Sequence, residues 1–211
     1  MNVQNLKKLT KPTAPVTLAQ VKEFLRIDHS DEDTTLMMYV KAATNRLETL
    51  CDTVFVETQF LFTLDEFPYT SKEEWWDGVR DGIVGQHRNQ CNFIQIPVGA
   101  IRSVDLFTFT DSAGTTSNVD STTWKLDNVR SQGRISLNFG AVWPSAQPAA
   151  NNAVQITFKA GLVSDPTQLP EEIQIAVLQL TAQLYERRGD ELPEIPSSCL
   201  MLLEPYRRFK V

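Results

Sequence analysis

The stretch from 153 to 188, AVQITFKAGLVSDPTQLPEEIQIAVLQLTAQLYERR, contains the change of pattern that decides the fold. In its first part, AVQITFKAG, apolar and polar side chains alternate, which predicts a β-strand with one buried face. From Pro170 onward, apolar residues recur every three or four positions, which predicts an α-helix that ends near residue 188. The chain therefore changes from strands to helices shortly after residue 160.

Strand patterns extend a long way upstream of this point. In FLFTLDEF, the side chains of Phe60, Phe62 and Leu64 form one apolar face. Further strand candidates are NFIQIP, IRSVDLFTF, STTWKLD and GRISLNF, which the turn-forming sequences PVGA, DSAG and RSQG separate. The block from 53 to 163 is therefore predicted to be an antiparallel sheet or a small sandwich.

Helical patterns precede this block. Thr17 followed by Gln20 is the pattern of a capping box and predicts a first helix over about 17 to 27. Ser30 is predicted to cap a second helix, whose first turn carries acidic residues that oppose the positive end of the helix dipole. The face of this second helix that is expected to be buried consists of Leu36, Tyr39, Val40, Ala43, Leu47 and Leu50.

The C-terminal segment, PSSCLMLLEPYRRFKV, predicts a short helix that Ser197 or Ser198 caps. The order helices, strands, helices predicts an α+β fold. In that fold, residues 1–52 and 164–211 form one helical domain, and residues 53–163 form a β domain inserted between them.

Composition limits the classes of function. The 211-residue chain is 42% hydrophobic and 22% charged, as folded globular proteins are. No apolar run approaches the roughly 18 residues of a membrane span, and no apolar signal segment follows the N-terminal lysines. Cys51, Cys91 and Cys199 lack the spacing of a zinc site or a disulfide framework, so a soluble protein made in a reducing cytoplasm is expected. The net charge of −6 disfavours tight binding to DNA.

The charged corner DHSDED, residues 28 to 33, raises the alternative of a metal or acid–base site around His29. A calcium loop would need a glycine and a distal glutamate, and a zinc site would need further nitrogen or sulfur ligands. The only other histidine, His87, lies in an unrelated polar segment. The corner is therefore interpreted as a turn between two helices, and no catalytic, metal or cofactor site is predicted.

The segment from 69 to 90, YTSKEEWWDGVRDGIVGQHRNQ, is predicted to be a long loop. Trp75 and Trp76 are adjacent, so in an extended segment their side chains would point to opposite sides. Two interpretations are open: the tryptophans tether the loop to the sheet, or they bind a partner such as a saccharide.

Taken in order, the motifs resemble the head-tail connector (adaptor) proteins of long-tailed bacteriophages, prophages and gene transfer agents. The matching pieces are VTLAQVKEFLRID with DED and a long helix after it, FTLDEFP, IQIPVGAIRSVDLF, GRISL, VQITFKAGL, LPEEIQIAVLQLTAQLYERRGD and LLEPYRRF. They extend over nearly the whole chain.

The resemblance implies a helical domain with an inserted β domain and no catalytic activity. It implies a ring of subunits, commonly dodecameric, in the neck of the virion beneath the portal protein. The partners would be the portal, a stopper or tail-completion protein and other copies of the chain. Double-stranded DNA would pass through the ring without tight binding. The protein would be made in the cytoplasm of the bacterial host, and no membrane would be among its partners.

On this interpretation, two helix faces and the C-terminal tail are candidate interfaces. The residues expected at the subunit interface are Met38, Ala42, Asn45, Thr49, Ile175, Leu178, Ala182 and Tyr185. The residues expected to dock on the portal are Leu202, Leu203, Tyr206, Arg207, Arg208 and Phe209.

Two alternatives stay open. One is a binding module whose β domain grips a saccharide or surface ligand through Trp75 and Trp76. The other is a neighbouring neck protein, either a stopper or a tail terminator.

Overall fold

The computed structural model of the protein describes residues 5–68, 93–129, 132–188 and 194–208. The helices are α1 (Leu18–Leu25), α2 (Asp33–Cys51), α3 (Glu171–Glu186) and α4 (Ser197–Leu203). The strands are β1 (Leu6–Lys8), β2 (Thr58–Leu64), β3 (Phe93–Gly99), β4 (Ile101–Thr110), β5 (Thr116–Asn118), β6 (Trp124–Asp127), β7 (Gln132–Leu137) and β8 (Val154–Ala160). The predicted α+β class is confirmed.

The strands form two antiparallel sheets that share one core. The larger sheet has the order β1-β2-β8-β4-β5 and the smaller has the order β3-β7-β6. Phe60 and Phe158 stack at 5.5 Å in the larger sheet, and Ile94, Ile96 and Ile135 face them from the smaller one. Because the apolar side chains of both sheets are buried in one cluster, the two sheets form a small sandwich.

One strand belongs to a different part of the fold than the sequence predicts. β1 lies in the segment assigned to the helical domain, yet Leu6 pairs with Phe62 and Lys8 pairs with Phe60 at the edge of the larger sheet. A strand of three residues with two lysines carries too little apolar pattern to be recognised, although short and charged strands are common at sheet edges.

The helices have a core of their own. α2 packs against α3, and α3 packs against α4. Leu36, Val40 and Leu47 of α2 and Ile173, Val177 and Leu180 of α3 are all fully buried there. Cys51 lies in the same core, and burial raises the pKa of its thiol to about 11. None of the described helices is both long and apolar enough to cross a bilayer.

Of the three helix caps predicted from the sequence, the structure contains one and lacks the other two. Thr17 and Gln20 form the predicted capping box, with the Gln20 N–H donating to Thr17 Oγ1 at 3.3 Å. The prediction that Ser30 caps α2 is wrong, because Glu32 occupies the cap position and makes no side-chain capping bond.

The prediction for the last helix is also wrong. Pro196 is the cap residue of α4, so neither Ser197 nor Ser198 performs that role. Ser198 Oγ instead donates to Gln179 Oε1 on α3 at 2.9 Å. The serine is therefore used for helix–helix contact.

The segment that leads from α2 into β2 and the segment that leads from β8 towards α3 lie side by side. Leu162 N donates to Val54 O at 3.0 Å, Val163 N donates to Phe55 O at 3.2 Å, and Glu57 N donates to Val163 O at 2.8 Å. Val54 is buried in the β core, whereas Phe55 is buried in the helical core. The entry and exit of the β domain thus form one hydrogen-bonded joint.

Candidate interaction surfaces

The charged corner between α1 and α2 holds ion pairs. Lys22 Nζ of α1 lies 2.6 Å from Asp33 Oδ1 of α2. His29 Nδ1 lies 4.0 Å from Asp31 Oδ2, and both side chains are exposed. In the part of the chain that the structure describes, no three His, Cys, Asp or Glu side chains are grouped to hold a metal ion. The geometry supports a structural role for these charges.

Glu32 forms a cluster with two residues from the C-terminal end of α3, called here the Glu32 cluster (Glu32, Tyr185, Arg188). Arg188 Nη1 and Nη2 donate to Glu32 Oε1 and Oε2 at 2.6 and 2.9 Å. Tyr185 OH donates to Glu32 Oε2 at 2.6 Å, and the Arg188 guanidinium lies 4.1 Å from the centre of the Tyr185 ring. The cluster fixes the corner between α1 and α2 to the far end of α3.

These contacts shift the protonation of all three groups. The hydrogen bonds from Arg188, then from Tyr185, lower the pKa of Glu32 from 4.5 to about 2. The carboxylate in turn raises the pKa of Arg188 and of the Tyr185 hydroxyl. The cluster therefore stays ionised until the pH is strongly acidic.

Replacing Glu32 with glutamine is expected to change the dependence of stability on pH. The folded protein holds Glu32 at a lower pKa than the unfolded chain does, so its contribution is complete above about pH 4.5 and is lost as the pH falls towards 2. Melting temperatures should therefore be measured from pH 7 to pH 2. At neutral pH the wild-type protein should melt at a higher temperature than Glu32→Gln, and this difference should vanish near pH 2.

Asp31→Asn is the control for this experiment, since the Asp31 side chain is 89% exposed and lies one position away. Its melting curve should follow wild type at every pH. A wild-type advantage over Glu32→Gln that stays constant down to pH 2 would contradict the assignment.

The predicted interface residues of α2 lie on the surface. Met38 is 64% exposed. Ala42, Asn45 and Thr49 are also exposed, on the side of α2 opposite Leu36 and the rest of its buried stripe. This face is therefore available to a second copy, although Asn45 Oδ1 also accepts a hydrogen bond from Lys8 Nζ at 3.4 Å.

The predicted interface residues of α3 are more mixed. Ile175 is 42% exposed, whereas Leu178 and Tyr185 are half-buried and pack against the helical core of the same chain. Ala182 is half-buried as well. Only part of this face is therefore free for another subunit.

Phe24 of α1 is a further exposed apolar residue, on a helix that contacts α3. It is 47% exposed. Gln20, one turn earlier, donates to Gln174 Oε1 on α3 at 3.4 Å, so Phe24 lies on the side of α1 that borders α3. Phe24 and Ile175 are thus exposed apolar side chains on two helices that contact each other.

The C-terminal tail is packed on its own chain. Leu203 is fully buried in the helical core, where it is not accessible to a partner. Leu202 and Tyr206 are half-buried against the same core, and Tyr206 OH donates to Glu172 Oε2 at 3.4 Å. Phe209, the last residue of the predicted docking set, lies outside the described residues.

Arg207 and Arg208 follow this packed segment. The Arg207 side chain is exposed. The Arg208 N–H donates to Cys51 O at 3.0 Å, and its guanidinium occupies the space that a Cβ at Gly99 would need. Burial lowers the pKa of Arg208. The tail therefore links the end of α2 to the end of β3, and its exposed part is smaller than the sequence suggests.

Two further surfaces have no counterpart in the sequence interpretation. The turn between β7 and β8 presents Phe139, which is fully exposed, and Val142, which is 79% exposed. A cavity of about 320 Å³ lies between α2 and the extended segment that precedes α1. Neither surface could be predicted from the sequence. In the predicted strand GRISLNF, for example, Phe139 would be assigned to the core.

Trp75, Trp76 and the whole 69–90 loop lie outside the described residues.

Residues 15–77 match the family model described as "Phage gp6-like head-tail connector protein". The match begins just before the capping box of α1 and includes all of α2 and β2. No curated protein sequence matches the chain.

Three solved structures contain a chain of similar fold. "Neck of empty GTA particle computed with C6 symmetry" matches with a TM-score of 0.75 at 23% identity. "Virion of native gene transfer agent (GTA) particle" matches with a TM-score of 0.75 at 24% identity. "Neck of native GTA particle computed with C12 symmetry" matches with a TM-score of 0.73 at 23% identity. In each case 98% of this chain and 96% of the other are covered.

These identities are low, so the structural likeness establishes the fold alone. The resemblance to head-tail connector proteins that the order of motifs predicts is confirmed by a family match over residues 15–77 and by a shared fold over 98% of the chain.

Proposed function

We propose that the protein is a structural head-tail connector of a bacteriophage or gene transfer agent particle, located at the neck of the virion. The observation that carries the proposal is the agreement of the two comparisons. The matching family model is named for head-tail connection, and the matching folds come from a particle neck and a virion. We propose no catalytic role.

The proposed working form is a ring, dodecameric in the particle. A closed ring needs two different, complementary surfaces on each subunit. The candidates for such a pair are the exposed α2 face with Met38 and the exposed apolar side chains Phe24 and Ile175 of α1 and α3. The C12 symmetry applied to one of the similar neck structures is consistent with twelve copies.

The proposed partners are the portal on one side of the ring and a stopper or tail-completion protein on the other. In the tail, the residues proposed to contact the portal are the half-buried Leu202 and Tyr206 and the exposed Arg207. The net charge of −6 supports a channel through which DNA passes without sticking, because like charges repel the phosphate backbone.

Electron microscopy of particles from which this protein is missing tests the proposal. Filled heads and complete tails are expected to accumulate separately, and the chain supplied in trans should restore joined particles. Joined, infectious or DNA-transferring particles without the chain would refute the connector role.

Mixing the purified protein with the portal of the same particle separates the connector from a neighbouring neck protein. A connector is expected to form a ring stacked on the portal. Binding to the tail but not to the portal would assign the chain to the stopper or tail-terminator class.

A further inference from the structure

The turn between β7 and β8 holds an exposed phenylalanine in a fixed position. In this Phe139 turn (residues 138–142), Ala141 N donates to Asn138 O at 3.0 Å and Gly140 adopts a φ of 79°. Asn138 Nδ2 donates to Thr122 O at 2.7 Å, which ties the turn to the neighbouring turn before β6. The turn is held at both ends, because Trp143 immediately after it is buried.

Trp143 stacks on Phe67 at 5.0 Å in the β core. A fully exposed aromatic ring on such an anchored turn contributes nothing to the core and is costly to leave in water. Rigid, exposed aromatic side chains are typical anchors of protein interfaces, since little conformational entropy is lost when they bind.

A cavity of fitting chemistry lies elsewhere on the chain. This Pro12 pocket is formed by residues 11–15 of the extended N-terminal segment and by three residues of α2. Its lining consists of Lys11, Pro12, Thr13, Ala14, Pro15, Lys41, Thr44 and Asn45. Two prolines and an alanine supply an apolar wall, and the exposed Lys11 and Lys41 supply positive charge.

The opposite charge lies in the neighbouring turn, to which the Phe139 turn is hydrogen-bonded. Asp120 lies in the turn to which Asn138 is bonded, and its side chain is close to Thr122, whose N–H donates to Asp120 Oδ1 at 2.9 Å. These hydrogen bonds from Thr122 lower the pKa of Asp120, so the carboxylate is ionised at neutral pH. An exposed aromatic ring with a carboxylate in the adjoining turn thus matches an apolar pocket flanked by lysines.

We propose that Phe139 of one copy inserts into the Pro12 pocket of the next copy in the ring, with Asp120 facing Lys11 and Lys41. The proposal rests on the ring arrangement of the proposed function. The turn lies in the β domain and the pocket lies on the helical layer, so the contact is the head-to-tail kind that a cyclic ring requires. It commits to a second copy of this chain as the occupant, because the charges of the two surfaces are complementary.

Photo-crosslinking in assembled particles tests this contact. With p-benzoylphenylalanine in place of Phe139, crosslinks to residues 11–15 or 41–45 of another copy are expected by mass spectrometry. The control carries the same group in place of Val129, which is 93% exposed on the β6–β7 turn. Crosslinks from position 139 to a different protein or to another region of the chain would overturn the proposal, and so would their absence in joined particles.

Substitutions give a second measurement. Phe139→Ser is expected to reduce the yield of joined particles about tenfold or more, as loss of an interface anchor does, whereas Val129→Ser leaves the yield unchanged. Both variants should melt at the wild-type temperature, since both side chains are exposed. Asp120→Lys should lower the yield as well, and the charge-reversed pair Asp120→Lys with Lys41→Glu should recover it.

The two proposals fail in different ways. If the wild-type chain is absent from the head-tail junction, both are overturned. If it is present there as a ring and Phe139→Ser still joins heads to tails normally, only the contact between Phe139 and the Pro12 pocket is overturned.

Discussion

Replacing Leu203 with alanine is expected to lower the free energy of unfolding by about 2–5 kcal/mol. The Leu203 side chain is fully buried in the helical core, so the change removes apolar contacts and leaves a cavity. Urea unfolding followed by circular dichroism measures the effect.

Met201→Ala in the same helix is the matched control. Met201 is 75% exposed, so the free energy of unfolding of the Met201→Ala variant should stay within about 0.5 kcal/mol of the wild-type value. If Leu203→Ala were as stable as Met201→Ala and instead weakened binding to the portal, Leu203 would be a docking residue, as the sequence alone suggests.

The second large effect is expected at the joint between the helices and the β domain. A Cβ at Gly161 would lie 2.5 Å from the Glu57 nitrogen and 2.6 Å from its Cα, both of which belong to the backbone. Gly161→Ala is therefore expected to separate the two connecting segments and to cost about 1–3 kcal/mol, as overpacking does. Thermal unfolding of the whole chain measures this cost.

Gly99→Ala is the control for Gly161→Ala. Its new methyl group would meet the tip of the Arg208 side chain, which can rotate away, whereas Gly161 faces backbone atoms that cannot. The cost at Gly99 should be clearly smaller, and Arg208→Ala should remove most of it. Equal costs at the two glycines would show that the backbone at Glu57 yields easily.

The alternation of apolar residues predicted the strands because each sheet has one face in the core. Phe60, Phe62, Val154, Ile156 and Phe158 are all buried as their spacing indicates. The buried stripes of α2 and α3 were predictable for the same reason, since the helical period fixes which side chains share a face. The fold class thus follows from local patterns.

The partners of those faces could not be predicted, because a pattern shows that a face is apolar and not what covers it. Leu203 was assigned to a docking tail, yet α3 covers it within the chain. Glu32 was assigned to the helix dipole, yet its charge is satisfied by Arg188, a residue 156 positions away. Phe139 continues the alternation of Ile135 and Leu137 in the sequence, but the strand ends at Leu137, and only the three-dimensional structure shows that its ring is exposed.

The joint between the two halves of the molecule has a mechanical consequence. After α1 and α2, the chain enters the β domain and later leaves it through two segments that are bonded to each other by Glu57, Leu162 and Val163 and anchored in both cores by Val54 and Phe55. A load that pulls or twists the β domain is therefore shared by two strands at once, and neither can stretch without the other. Such a double tether resists bending in the way that a single linker cannot, so a torque applied to the β domain is transmitted to the helices instead of being lost as rotation at a hinge.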